Sequence, residues 1–357
     1  MIGIISRTYW PGTICGASRH LYIIKKLLKK QFKFKVYTWD KVTEPGVKQV
    51  SIPKIKGLGS LLFSLKTAKL INKDPKIKFV QVNQFWSEYT PLFLKKPFSA
   101  LIHDVPDNNN PLLSWNVKKA AEKAKVIFYV SKLTGDKLKA MGIPSKKLVY
   151  APPGIDEALR NNKKYSKNKY VKKGELMFLH VSRIAPNKDL VTIIEALNQL
   201  KDKVKFKLLV VGQKMEWSDY YKKVENKIKE YKLEKNVKLL GKVSDEEKIK
   251  LFKCADLYLH ASYFGEGFGI PIVEAQAAGV PAIASDLFKE TGVIKDGQNG
   301  LIFKRRNPEE LSNKIIKVLS DSKLRQRLVK GGKKYSSQFS WKESANKMAK
   351  YYKKYDL

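Results

Sequence analysis

Residues 262–281 read Ser262-Tyr263-Phe264-Gly265-Glu266-Gly267-Phe268-Gly269-Ile270-Pro271-Ile272-Val273-Glu274-Ala275-Gln276-Ala277-Ala278-Gly279-Val280-Pro281. The stretch runs from a strand end through a glycine-rich loop to a helix opened by Pro271, a residue suited to a first helical turn. Glycines at 265, 267 and 269 let backbone N–H groups approach a ligand closely, and a helix start favours an anion. Glu274 falls in the early turns of that helix. Its two carboxylate oxygens can accept hydrogen bonds from a vicinal diol. Glu266, on the loop, is placed to reach a hydroxyl. On spacing alone, a helix cap with two solvent-facing carboxylates fits equally well.

The same strand–loop–helix alternation extends in both directions. Short apolar runs at 2–6, 34–39, 79–82, 100–103, 126–130 and 148–151 read as buried strands, with helical periodicity between most of them. Ser18 reads as the cap of a first helix whose apolar positions are Leu21, Ile24, Leu27 and Leu28. Residues 157–174 carry six lysines and few apolar residues, the pattern of a linker or exposed loop. A second alternation follows, with strands expected at 176–181, 206–211, 237–240, 257–259, 281–284 and 301–303. Two such series imply an α/β chain with two doubly wound, Rossmann-like parallel sheets facing a cleft, where ligands bind beyond the carboxyl ends of the strands. The expected domains are 1–160 and 161–340, with a terminal helix at 341–357 returning to the first.

Composition bounds the function. The 357 residues suffice for two domains, and 43% hydrophobic content with 29% charged is that of a globular protein. Cys15 and Cys254 match neither a disulfide framework nor a metal site, which points to a reducing, cytoplasmic setting. The start Met1-Ile2-Gly3-Ile4-Ile5-Ser6 lacks the basic leader of a signal peptide. The net charge of +38 is carried mostly by lysine, and it suggests either a lysine-biased surface or an anionic partner. A P-loop, a Gly-x-Gly-x-x-Gly fingerprint and an Asp-x-Asp pair are all missing, and His20, His103, His180 and His260 are scattered without ligand spacing, so no metal site is expected.

The string at 262–281 resembles the signature of the retaining glycosyltransferases of the GT-B fold, family four: two glutamates separated by seven residues, flanked by Gly-Phe-Gly and Ala-Gly-Val-Pro. His180-Val181-Ser182-Arg183-Ile184-Ala185-Pro186-Asn187-Lys188 is similar to the family's strand-end Arg and Lys, five apart, which clamp the donor diphosphate there. Two fixed cations can hold the charge of a departing diphosphate without a metal. Gly241 and Val243 resemble the loop that edges the nucleobase, and Gly16 keeps one glycine of a loop that usually has two, Cys15 standing at the other. His103 resembles the strand-end histidine that faces the donor sugar, through its imidazole or its carbonyl.

The resemblance implies His103, Glu266, Arg183 and Lys188 as catalytic residues. It implies Gly16, Gly241, Val243, Gly267, Phe268, Gly269, Ile270 and Glu274 at the donor. The expected co-substrate is a nucleotide sugar such as a UDP- or GDP-sugar, with no cofactor and no metal. The expected acceptor is a glycan, a lipid-linked or another anionic molecule, held by the first domain. The rivals are a nucleic-acid-binding protein, a sugar transferase acting on nucleic acid, and a nucleotide-sugar epimerase. Against a nucleic-acid partner, no basic recognition helix or zinc finger is visible. Residues 1–170 hold net +23, with Lys25, Lys26, Lys29, Lys30, Lys33 and Lys35 beside Phe32 and Phe34. Leu58, Leu61, Leu62 and Phe63 follow between Lys56 and Lys66. Lysines beside apolar side chains suit peripheral attachment to an anionic membrane.

Overall fold

The computed structural model describes residues 1–12, 15–53, 58–83, 89–105, 111–215 and 218–355. The chain divides into two compact units, Met1–Gly154 with Phe339–Leu357, and Ile155–Gln338. The junctions lie at 154/155 and 338/339, a few residues from those expected at 160 and 340. Lys56 lies outside the described residues.

In the first unit, in chain order, lie β1 (Ile2–Ile5), α1 (Gly16–Leu28), β2 (Phe34–Thr38), β3 (Val47–Gln49), α2 (Gly59–Lys73), β4 (Phe79–Asn83), α3 (Thr90–Phe93), β5 (Phe98–Ile102), α4 (Pro111–Lys123), β6 (Val126–Tyr129), α5 (Lys132–Ala140) and β7 (Leu148–Tyr150). The strands form one sheet of order β3-β2-β1-β4-β5-β6-β7, and every pairing in it is parallel. Parallel strands covered on both faces are mostly apolar, and Ile4, Val80, Val82, Ala100 and Ile127 are fully buried. The cap of α1 is Cys15, not Ser18: the Cys15 sulfur accepts from the Ser18 backbone N–H, and Ser18 is itself buried. Leu27 lies on the exposed side of α1, at 43%, because the buried stripe runs through Leu21, Ile24 and Leu28. Phe32 and Phe63 are buried core residues and so leave the expected surface patch.

The second unit, in order, holds β8 (Leu176–Val181), α6 (Leu190–Asn198), β9 (Phe206–Val211), α7 (Tyr220–Glu230), β10 (Val237–Gly241), α8 (Asp245–Cys254), β11 (Leu257–His260), α9 (Ile270–Ala278), β12 (Ala282–Ser285), α10 (Leu287–Glu290), β13 (Leu301–Phe303), α11 (Pro308–Ser320) and α12 (Ser322–Ser336). Its sheet order is β10-β9-β8-β11-β12-β13, again with parallel pairings. The order reverses between β8 and β11, the switch point where doubly wound sheets open a crevice. Close approach at that edge depends on Gly212, with φ +147: a Cβ there would lie 1.7 Å from the Ser182 carbonyl oxygen. The Gly212 N–H also donates to the Gly241 carbonyl at 2.8 Å, so the ends of β8, β9 and β10 meet backbone to backbone.

Residues 157–174 are not a free linker. Lys167 pairs with Asp256 at 2.7 Å, the Tyr170 hydroxyl donates to Glu247 at 3.0 Å, and Leu159 and Val171 are buried. The segment is strapped to the second unit by side chains whose partners lie far along the sequence. The last helix, α13 (Trp341–Lys354), belongs to the first unit. It packs on α1, and its buried Tyr352 hydroxyl donates to Gln81 at 2.9 Å.

Candidate active site

The carboxyl end of β8 delivers His180, Ser182 and Arg183 and then a tight turn, Pro186–Lys188. The end of the neighbouring β11 delivers His260, Ser262 and the glycine loop with Glu266. Because β8 and β11 are hydrogen-bonded neighbours, Lys188 and Glu266 meet although 78 residues separate them. They form an ion pair with side chains only 10% and 13% exposed. Glu266 also accepts from the Ser262 hydroxyl at 3.1 Å, and His260 Nε2 lies 3.7 Å away.

Behind this pair runs a buried polar chain. His260 Nε2 is 3.0 Å from the Ser262 hydroxyl, and His260 Nδ1 is 2.8 Å from the Tyr258 hydroxyl. The Tyr258 hydroxyl donates to the Val181 carbonyl at 3.3 Å and Ser262 donates to Glu266, so the His260 ring is held between two hydroxyls that have partners of their own. His180 donates its Nδ1–H to the Leu259 carbonyl at 2.8 Å, and its Nε2 lies 2.7 Å from Ser182 Oγ. Burial opposes charge on Glu266, but Lys188 and the nearby His260 outweigh it and hold the carboxyl well below its usual range. Burial, with His260 beside it, pushes His180 down to about 3, and burial also lowers His260.

The glycine loop then turns into α9. Gly269 caps the helix at φ +93, and a Cβ there would stand 2.7 Å from the Phe288 ring. Phe268 and Gly269 are buried; Gly267 and Ile270 are half-buried, and Pro271 lies in the first turn. Glu274 is buried and does not stand open: Lys248 of α8 reaches it at 2.6 Å. Gly241 ends β10, and Val243, half-buried, follows it just before the Ser244 cap of α8. Arg183 lies half-buried near the head of the turn that carries Lys188, with a guanidinium nitrogen 3.5 Å from Met215 Sδ.

The second unit therefore brings Arg183, Lys188, Glu266, Gly267, Phe268, Gly269, Ile270, Glu274, Gly241 and Val243 to one end of its sheet. His103 and Gly16 lie in the first unit. Gly16 opens α1 directly after the Cys15 cap. His103 follows β5 with its Nε2 buried and without a hydrogen bond among the described residues, and burial pushes its pKa down to about 3. Its ring stands edge-on to His20, with centroids 5.2 Å apart, and His20 in turn stands edge-on to Trp341. The His103 carbonyl accepts from Thr134 Oγ1 at 3.2 Å.

Sequence reasoning missed Lys248 and treated His180 and His260 as scattered. A signal was present for the histidines. His180-Val181-Ser182 and His260-Ala261-Ser262 repeat one His-x-Ser pattern, which at the two-residue strand period puts both polar groups on one face.

The buried histidines make stability acid-sensitive. Unfolded imidazoles bind protons near the ordinary 6.5, whereas folded His180 stays neutral until about 3. Between those values the unfolded state holds more protons, so stability falls as pH is lowered, by about 1.4 kcal/mol per pH unit for such a group. His20, His103 and His260 are shifted the same way. Urea unfolding between pH 7 and 4.5 should show this loss, and His180→Asn should make it shallower. A pH-independent midpoint would contradict the buried neutral state.

The family description "Glycosyl transferases group 1" matches residues 161–335, and "Glycosyltransferase Family 4" matches residues 14–159. An uncharacterised glycosyltransferase of Methanocaldococcus jannaschii is 27% identical over 357 residues, covering 96% of this chain and 95% of that one. The phosphatidyl-myo-inositol mannosyltransferase of Mycobacterium leprae is 32% identical over 120 residues, covering 34% of this chain and 32% of that one. Among solved structures, Anabaena HepE in complex with UDP and glucose shares the fold, with a TM-score of 0.84, 20% identity and 99% of each chain covered. The two matched segments together span nearly the whole sequence, and the chain belongs to family four of the GT-B glycosyltransferases, enzymes that transfer a sugar from a nucleotide-sugar donor.

Proposed function

We propose that the second unit holds the donor and that transfer proceeds with retained anomeric configuration and without a metal. The observation that carries this reading is the buried Lys188–Glu266 pair beside the glycine loop and the start of α9. In it, Arg183 and Lys188 face the diphosphate, Glu266 the transferred sugar, and Glu274 the ribose. As the sugar C1–O bond to phosphate breaks, negative charge grows on the diphosphate, and two cations fixed beforehand stabilise it there. The new C1–O bond to the acceptor forms on the same face, and the acceptor's proton passes to the departing phosphate oxygen. His103, neutral because buried, is assigned to the sugar by the family resemblance.

The acceptor is proposed to be a lipid-linked or otherwise anionic glycan, taken by the first unit at the cytoplasmic face of a membrane. The M. leprae relative, named for phosphatidyl-myo-inositol, supports a lipid acceptor. Among the described residues no helix is long and apolar enough to cross a membrane, so attachment would be peripheral. Lys25 and Lys35 drop out of the proposed surface, being paired with Glu44 and Asp74. Lys26, Lys29, Lys30 and Lys33 are exposed beside Leu27. On α2, Lys66 and Lys69 are exposed beside Leu65, which is 42% exposed. At about 1 kcal/mol per lysine near an anionic surface, these suffice for reversible attachment.

Three measurements test the reading. Arg183→Ala should lower kcat about a hundredfold while changing donor affinity far less, since leaving-group charge peaks in the transition state. Wild-type turnover should survive excess chelator; turnover abolished by chelator and restored by magnesium or manganese would overturn the metal-free reading. In sedimentation, the protein should pellet with anionic vesicles at low salt and be released at high salt. Protein left in the supernatant at low salt would refute membrane attachment.

A further inference from the structure

His260 is 2% exposed, and each of its ring nitrogens faces a hydroxyl. Nδ1 is 2.8 Å from Tyr258, whose proton goes to the Val181 carbonyl. Nε2 is 3.0 Å from Ser262, whose proton goes to Glu266. Both hydroxyls therefore present lone pairs to the ring. A neutral imidazole has one N–H for these two acceptors, whereas an imidazolium has two. The site is thus one proton short of full hydrogen bonding. Two groups of opposite charge decide whether that proton is held. Glu266, 3.7 Å from Nε2, favours it; Lys188, held against Glu266, opposes it together with burial. The His180 ring of β8, its centroid 5.3 Å away, is neutral, and the edge-on Phe288 of α10 carries no charge. Glu274 of α9 acts on Tyr258 but is itself paired with Lys248.

We propose that His260 is a positioning residue for Glu266, taking up a proton from solvent when a donor diphosphate engages Lys188. This rests on the diphosphate placement proposed above. Once the diphosphate neutralises Lys188, Glu266 loses its balancing cation, which is costly for a buried carboxylate. The proton enters the ring, Tyr258 and Ser262 accept its two N–H groups, and the imidazolium holds Glu266 through Ser262. The carboxylate stays charged and aimed at the sugar while the lysine serves the leaving group. Donor binding and proton uptake are then linked, so binding strengthens as pH falls.

The test is calorimetric titration of UDP-glucose, UDP-N-acetylglucosamine, GDP-mannose and ADP-glucose at pH 6.5 in buffers of different ionisation enthalpy. The diphosphates of these sugars have no proton of their own to exchange there. With whichever donor binds, the wild type should take up about half a proton or more, and bind about threefold or more tighter at pH 6 than at pH 8. His260→Gln should abolish both effects. His180→Asn should retain them, although the His180 Nε2 likewise faces a hydroxyl, Ser182, that gives its proton away. A second measurement needs no donor. In Lys188→Met, Glu266 has lost its lysine, so nitrogen NMR of the four histidines should show the His260 ring protonating about one pH unit or more above its wild-type value. The signal is assigned by its loss in His260→Gln. Donor binding without proton uptake, uptake that survives His260→Gln, or a His260 ring that titrates alike in wild type and Lys188→Met would overturn the proposal and leave the donor placement standing. If the wild type binds none of the four donors, the donor placement fails and this proposal with it.

Discussion

Two opposite charges, Lys188 and Glu266, are buried together at the carboxyl ends of adjacent strands, and much of the second unit is arranged to permit it. Taking an ion out of water costs several kcal/mol even after relaxation, and a pair recovers this only with good geometry and further hydrogen bonds. The supporting groups are present. Ser262 donates to Glu266, His260 stands behind Ser262, and Tyr258 orients His260. Such a pair adds little to net stability. In the proposed reaction its use is to keep a cation and an anion fixed where charge would develop, so that no reorganisation is needed at that moment.

The sheet topology makes this possible. Parallel strands send all their carboxyl ends to one edge, and the reversal between β8 and β11 opens a crevice there. Gly212 lets three strand ends close, and Gly269 lets the loop turn into α9 against Phe288. The same rule operates in the first unit, where β5 presents His103 beside His20 and Trp341.

What could be read from the sequence was what lies close along it. The glutamates at 266 and 274, the glycines between them and the Arg183–Lys188 spacing fall within single strand–loop–helix units, so local pattern exposes them. Lys248 could not be read as a partner of Glu274, because the contact depends on how α8 packs on α9 across 26 residues. The segment 157–174 is the exposed loop its lysines suggest, but its anchoring was not legible, because Lys167 finds Asp256 at a separation of 89 residues. Phe32 and Phe63 were placed in a surface patch because they lie among lysines; their burial follows from the packing of α13 and α2 around the sheet. Cys15 displaced Ser18 as the cap of α1 because a thiol can accept a backbone N–H, a role usually reserved for hydroxyl and carboxylate side chains.

The central claim is that Lys188 serves the diphosphate while Glu266 serves the sugar, and that in the absence of donor they hold each other. The most direct measurement compares UDP or GDP affinity, without a sugar, in Lys188→Met and Glu266→Gln. The account predicts that Lys188→Met weakens binding by about tenfold or more, the scale of a charge-assisted hydrogen bond, whereas Glu266→Gln leaves it unchanged or tightens it by releasing the lysine. Equal weakening in the two variants would contradict the separate roles.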